Sequence, residues 1–204
     1  MTMNPSPNSQ PGASASGVTS TTLLPKVQAR DPEAWQRLVR LYSPLVFHWC
    51  RRAGLSGDDS ADVVQDVFLA VAKRVGDFRH DPANGSFRAW LRAICRFKVA
   101  DHYRKVYTEP AAVGGSTAYR DLLQHADGID PDDEGDRGRL LRTALELVRG
   151  DFADQTWHAF WKYTVERHSV AEVAAALGLS LDSVYQAKAR VLRRLRDEFE
   201  HLLD

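Results

Sequence analysis

Between Ser169 and Arg196 the chain reads SVAEVAAALGLSLDSVYQAKARVLRRLR, two apolar-periodic runs separated by one glycine. Val170, Val173, Ala174 and Leu177 recur at helical spacing and form one apolar face. Gly178 then interrupts the run, as a glycine just past a helix end does. Ser180 can accept a hydrogen bond from the free N–H groups of the next turn, so a second helix starts there. Its apolar face is Val184, Ala187, Val191 and Leu195. The pattern is that of a helix-turn-helix. Away from the apolar face the second helix carries Tyr185, Gln186, Lys188, Arg190, Arg193, Arg194 and Arg196. Cations suit phosphate contact, and Gln and Arg can reach base edges. Taken alone, the stretch fits a DNA-reading helix and also a plain helical hairpin with a solvated, arginine-rich face.

The remainder of the chain narrows the choice. Its 204 residues allow one or two small domains, and 44% apolar content is enough for real cores. The 27 basic and 27 acidic residues cancel, so bulk charge does not point to nucleic acid and only its distribution can. No apolar run approaches the ~18 residues of a membrane span. The first residues lack the basic-then-apolar pattern of a secretory signal, so a cytoplasmic location is expected. Cys50 and Cys95 form no Cys-x-x-Cys pair and are expected as buried free thiols. The seven histidines are scattered without metal-ligand spacing, so neither metal nor cofactor is expected. A glycine-rich phosphate loop and a Gly-x-Ser-x-Gly elbow are both missing, which argues against an enzyme.

Residues 1–25 are rich in Ser, Thr, Pro, Asn and Gly and read as a disordered tail. Asp31-Pro32-Glu33 then opens a helix as cap, first-turn proline and first-turn acid. Trp35, Leu38, Val39, Tyr42, Leu45, Val46 and Trp49 give it an apolar face. Gly54 to Asp59 is a turn, and a second helix from about Ser60 to Val75 aligns Val64, Val67, Phe68, Val71 and Val75. The loop RHDPANGS leads to Ser86, which can cap a third helix, FRAWLRAICRFKVADHYRK. Residues 26–106 are thus an all-α first domain. Residues 107–136, with several Gly and Pro and the acids Glu109, Asp121, Asp127, Asp130, Asp132, Asp133, Glu134 and Asp136, read as an acidic linker with a short helix near Tyr119–His125. Residues 137–204 form a second helical domain that opens with helices near Arg139–Arg149 and Ala153–Glu166 and ends in the helix-turn-helix. The fold class is all-α, two small helical domains.

The third helix is a second basic surface. Arg88, Arg92, Arg96, Lys98, Arg104 and Lys105 face one acid, Asp101, and alternate with Phe87, Trp90, Phe97 and Tyr103. Cations track a phosphate backbone while aromatic rings stack on unpaired bases, the combination that single-stranded nucleic acid requires. Trp90, Leu91 and Ile94 at helical spacing equally suit a core-facing stripe.

With these blocks in view, the chain resembles bacterial RNA polymerase sigma factors of the extracytoplasmic-function group of the sigma-70 family. The carrying residues are DSADVVQDVFLAVAKRV (Asp59–Val75), SFRAWLRAICRFKVADHYRK (Ser86–Lys105) and the Ser169–Arg196 stretch. With flanking helices the likeness spans about Arg30 to Val106 and Arg139 to Leu202. It implies that Asp62, Gln65, Asp66 and Leu69 dock on the β′ clamp helices of core polymerase, whose β flap would meet the second domain. Asp59 and Asp62 would equally suit a solvated helix N-terminus. The resemblance further implies that Phe87, Arg88, Trp90, Arg92, Arg96, Phe97, Lys98 and Asp101 hold the opened minus-ten strand. In duplex DNA, Ser183, Tyr185, Gln186, Ala187, Lys188 and Arg190 would meet the minus-thirty-five element, with Arg193 and Arg194 nearer phosphates. An anti-sigma factor is a further implied partner.

Three departures from the family pattern bear on specificity. Phe97 stands where members usually carry Asn, in the pocket for a flipped minus-ten base. Phe stacks but cannot hydrogen-bond a base edge. Lys188 replaces an apolar residue, and Ala187 and Ala189 replace larger ones, which leaves minus-thirty-five reading to Tyr185, Gln186 and Arg190. The competing reading is a helix-turn-helix regulator that does not engage polymerase. Such a protein has no need of DVVQDVFLAV or of the aromatic basic helix.

Overall fold

A computed structural model of the chain describes residues 22–79, 86–108 and 133–203. Among the described residues every regular element is helical: α1 (Leu23–Gln28), α2 (Pro32–Arg52), α3 (Gly57–Arg74), α4 (Phe87–Thr108), α5 (Asp133–Val148), α6 (Asp154–Thr164), α7 (Val170–Leu177) and α8 (Leu181–Phe199). The all-α expectation holds. Residues 1–21, most of the loop after α3, and residues 109–132 with the short helix expected there lie outside the described residues.

Helix starts follow their caps. The Asp31 carboxylate accepts from the N–H of Glu33 at 2.9 Å and of Ala34 at 3.3 Å, and Pro32 occupies the first helical position of α2. Ser86 Oγ accepts from Ala89 N–H at 3.3 Å to open α4. Three boundaries differ from those read in the sequence. The α3 helix begins at Gly57 rather than near Ser60, because Ser56 Oγ accepts from Asp59 N–H at 3.1 Å. Leu23–Gln28, partly assigned to the tail, is helical, because Leu23, Leu24 and Val27 are buried. Gln28 ties this helix to the end of α3 by donating to the carbonyls of Val75 at 3.0 Å and Phe78 at 2.8 Å. The α5 helix reaches back to Asp133, so Asp136, counted with the linker acids, is a fully buried helical residue.

Most of the interior is one continuous apolar cluster. It begins with Leu38, Leu41, Tyr42, Leu45, Val46 and Trp49 of α2 and takes in Val63, Val67 and Val71 of α3 and Leu91, Cys95 and Val99 of α4. It continues through Leu140, Ala144 and Val148 of α5 and Trp157 and Phe160 of α6 to Val191, Leu195 and Phe199 of α8. The first helical unit (22–108) and the second (133–203) therefore share a core, with α2 packed on α5. Polar contacts cross the same boundary: Arg37 to Glu198, the Tyr42 hydroxyl to the Leu202 carbonyl, and the Trp49 indole N–H to Asp136. Cys50 and Cys95 are buried free thiols with Sγ atoms 3.8 Å apart. The contact with Cys50, followed by burial, pushes the Cys95 thiol well above its ordinary range.

The helix-turn-helix is a satellite core of its own. Ala159, Val173, Ala174, Val184 and Ala187 are buried together between α6, α7 and α8. A capping box starts α7: Ser169 Oγ accepts from Glu172 N–H at 3.3 Å, and Glu172 Oε2 accepts from Ser169 N–H at 2.8 Å. These bonds from Ser169 hold the Glu172 carboxyl below its usual range. Gly178 ends α7 with φ 63° and ψ 36°, and Ser180 Oγ accepts from Ser183 N–H at 3.1 Å to start α8. No other group lies within 4 Å of where a Gly178 side chain would be, so a substitution there would test backbone strain alone. Gly178→Ala is expected to cost about 1 kcal/mol, the left-handed penalty of an L-residue, read as a lower urea midpoint at unchanged slope.

Candidate nucleic-acid and polymerase interface

The exposed face of α8 is built from residues one turn apart. Gln186 Nε2 donates to Asp182 Oδ2 at 2.6 Å, and Arg190 Nη2 reaches Gln186 Oε1 at 3.4 Å. Tyr185, 49% exposed, stands edge-on to Tyr163 of α6 with ring centroids 5.7 Å apart. Lys188 lies half-buried with Nζ 5.2 Å from the Tyr163 ring centroid, a cation–π contact that braces the helix. Gln186, Arg190 and Arg193 are exposed, and Ser183 is half-buried with its hydroxyl 2.8 Å from that of Ser180.

Two residues expected on this surface are engaged elsewhere. Ala187 is 4% exposed and fills the seam between α8 and its neighbours. Its spacing with Val184 and Val191 (i, i+3, i+7) already placed it on the core stripe. Arg194 binds Asp151 Oδ2 at 2.8 Å and Glu198 Oε2 at 2.6 Å, so its guanidinium is committed to acids of its own chain.

Helix α4 divides its expected residues more sharply. Phe87 is fully buried against Tyr42 and Phe78, with centroids 5.2 Å apart in each case. Arg88 and Arg92 are 4% and 9% exposed, and Arg92 Nη2 pairs with Asp136 Oδ2 at 2.7 Å. These three cannot meet a nucleic acid in this conformation. Their burial follows from register: Arg88, Arg92, Cys95 and Val99 fall at i, i+4, i+7 and i+11 on the stripe that faces the core. Trp90 is half-buried on Phe78 and Phe87, and Asp101 is occupied by Arg104 at 3.2 Å and Lys105 at 3.4 Å. Arg96 and Phe97 are exposed, Phe97 at 61%.

Phe97 lies in a groove of about 610 Å³ between α3 and α4, walled by Leu69, Trp90, Ile94 and Phe97 and edged by Lys73, Arg74 and Lys98. The groove thus combines aromatic faces with cations. The sequence reading omitted Lys73 and Arg74. Their signal was present, since two cations close the last turn of α3, where they also meet the negative end of the helix. Nearer the start of α3, Asp62, Gln65, Asp66 and Leu69 form one stripe along a shallow depression that His102 and Lys105 of α4 complete, and Asp66 and Leu69 line the groove as well. Leu69 is 61% exposed between these polar groups, and Asp66 Oδ2 lies 4.0 Å from Lys98 Nζ. Among the described residues no helix is long and apolar enough to cross a membrane.

Described residues that are all helical, with a helix-turn-helix in one unit and an aromatic, cationic groove in the other, have the layout expected of a DNA-binding transcription protein. The family described as sigma-70 region 2 matches residues 38–107, which hold most of α2, all of α3 and nearly all of α4. The chain is 28% identical over 186 residues to the ECF RNA polymerase sigma factor BldN of Streptomyces coelicolor, covering 91% of this chain and 68% of that protein. It is 29% identical over 187 residues to the RNA polymerase sigma factor CnrH of Cupriavidus metallidurans, covering 89% and 93%. A solved structure of CnrH in complex with the cytosolic domain of CnrY aligns over 86% of this chain and 94% of that chain, at 25% identity with a TM-score of 0.35. The chain belongs to the sigma-70 family of RNA polymerase sigma factors, in its extracytoplasmic-function group.

The two arginines of α8 should behave differently. Arg193→Ala is expected to reduce the salt dependence of promoter-duplex binding by about one unit of log–log slope, at unchanged stability. Arg194→Ala should leave that slope unchanged and lower the thermal midpoint, because it strips a partner from Glu198. Fluorescence anisotropy across a salt series, with calorimetry on both variants, reads the difference.

Proposed function

We propose that this chain is the sigma subunit that carries core RNA polymerase to a set of promoters and helps open them. The observation that carries the reading is the co-occurrence, on one chain of this family, of three surfaces with separate chemistries: the α3 stripe, the α3–α4 groove and the exposed face of α8. Asp62, Gln65, Asp66 and Leu69 suit a helical partner surface, because an exposed apolar side chain flanked by carboxylates and an amide gives both burial and orientation. We assign this stripe to the β′ clamp helices, and expect an anti-sigma factor to act by covering it. The second helical unit would meet the β flap.

Opened minus-ten DNA is assigned to Arg96, Phe97, Lys98 and the half-buried Trp90, joined by Lys73 and Arg74. Phe97 would hold a base by stacking, so discrimination there follows stacking strength more than hydrogen-bond pattern. Duplex minus-thirty-five DNA is assigned to Tyr185, Gln186 and Arg190, where Gln and Arg carry the base-edge contacts and Arg193 a phosphate. None of this calls for a catalytic group or a cofactor, and the work is that of a cytoplasmic transcription factor.

The direct test mixes the purified chain with core RNA polymerase and follows co-elution, then transcription from the DNA upstream of its own gene. A complex that initiates is the expected outcome. Duplex binding without polymerase association would leave a helix-turn-helix regulator instead. Leu69→Glu should weaken the polymerase complex by at least about tenfold, which is about 1.4 kcal/mol, while helicity stays unchanged because the side chain is exposed. Arg190→Ala should cost about 1–3 kcal/mol in promoter binding and relax preference at one base position, measured by competition with single-base variants of the site.

A further inference from the structure

The exposed face of α8 is oriented from two sources. Gln186 and Arg190 are held from within the helix, through the contacts that link Asp182, Gln186 and Arg190 one turn apart. Tyr185 is held from outside it. The ring of Tyr163, on α6, has its centroid 5.7 Å from that of Tyr185 at an interplanar angle of 88°. At that angle the positive edge of one ring meets the negative face of the other, an arrangement with a preferred direction. The centroid of the same Tyr163 ring lies 5.2 Å from Lys188 Nζ, so one side chain of α6 touches α8 at two residues a turn apart.

Tyr163 is itself well fixed. It lies in the last turn of α6, half-buried, and packs on the satellite core that Ala159, one turn earlier, shares with Val184 and Ala187. Tyr185, by contrast, is 49% exposed and lies outside that core. A tyrosine on an exposed helix face samples more than one rotamer, and ordering it against a base costs binding energy. A ring already directed by a neighbouring helix loses less freedom when DNA arrives.

We infer that Tyr163 is a positioning residue for promoter reading: anchored in the satellite core and clamped by Lys188, its ring directs Tyr185 toward duplex DNA and so sets base preference without touching a base. The inference rests on the assignment of Tyr185 to duplex DNA made above. It extends the determinants of specificity beyond the helix-turn-helix into α6. It also separates two kinds of base contact on α8, because the position read by Arg190 does not depend on Tyr163.

The test uses the full chain at low salt. The parent selects its site from a library of randomised duplexes, and competition then gives its affinity for every single-base variant of that site. Tyr185→Ala should lower the preference at one position by at least about fivefold, which marks the position that Tyr185 reads. Tyr163→Leu should lower the preference at that same position by at least about threefold and leave the position marked by Arg190→Ala unchanged. Combined with Tyr185→Ala it should add no further loss there. Tyr163→Phe keeps the ring and both of its contacts, and should match the parent. Replacement of Tyr163 by pentafluorophenylalanine keeps the ring's shape but reverses the charge pattern of face and edge, and should reproduce the effect of Tyr163→Leu in a chain whose packing is intact. If Tyr163→Leu and the fluorinated ring weaken all duplexes evenly, or leave every preference at the parent value, the positioning role is overturned while the assignment of Tyr185 stands. If the parent selects no site, or Tyr185→Ala changes no preference, the duplex assignment of Tyr185 fails and the inference fails with it.

Discussion

The packing of both helical units depends on the burial of α2. A surface helix normally hides one stripe and leaves the rest to water. In α2 the residues Leu38, Leu41, Tyr42, Leu45, Val46, Trp49 and Cys50 are all essentially inaccessible, and α1, α3, α4 and α5 pack around them. Burying so much of one helix is favourable only if its polar atoms are answered. The Tyr42 hydroxyl donates to the Leu202 carbonyl and the Trp49 indole to Asp136, both in the second unit. The two large polar-tipped aromatics of α2 therefore need the C-terminal helices as much as those helices need α2.

That dependence explains which features could be read from the sequence. Caps are local, so Asp31, Ser86 and Ser180 announced their helices within a few residues of chain. The helix-turn-helix was equally legible, since Gly178 and two apolar stripes lie within one short stretch. The partner of Trp49 is 87 residues away and the partner of Tyr42 is 160 away, and no local pattern carries such information. Asp136 was read with the linker acids because its neighbours in sequence are acidic, while its neighbours in space are Trp49 and Arg92.

The arginines of α4 teach a different lesson. Arg88 and Arg92 were read as phosphate contacts because they are cations on a basic helix. Their spacing with Cys95 and Val99 said that they face inward, and geometry prevailed because Asp136 makes burial of the Arg92 charge tolerable. Ala187 repeats the point on α8, where a residue offered for base contact sits on the Val184–Val191 stripe. In both helices register was the stronger signal, and residue type misled where a buried partner was invisible in the sequence.

Charge economy follows from the same packing. The chain is neutral overall, and several of its cations are spent internally: Arg92 on Asp136, Arg37 and Arg194 on Glu198, Lys188 on the Tyr163 ring. Arg92, Arg37 and Lys188 each brace one helix against another, while Arg194 bonds to Glu198 within α8 and to Asp151 outside it. On the two candidate DNA surfaces the exposed cations are few: Arg96 beside the α3–α4 groove edged by Lys73 and Arg74, and Arg190, Arg193 and Arg196 on α8. Because few phosphates can be neutralised from either surface alone, neither can supply tight binding at physiological salt by counterion release. If both surfaces contact promoter DNA as proposed above, affinity comes from engaging them on one DNA, since tethering makes the second contact effectively intramolecular. On that proposal the free chain binds DNA weakly, and promoter recognition becomes a property of the assembled enzyme.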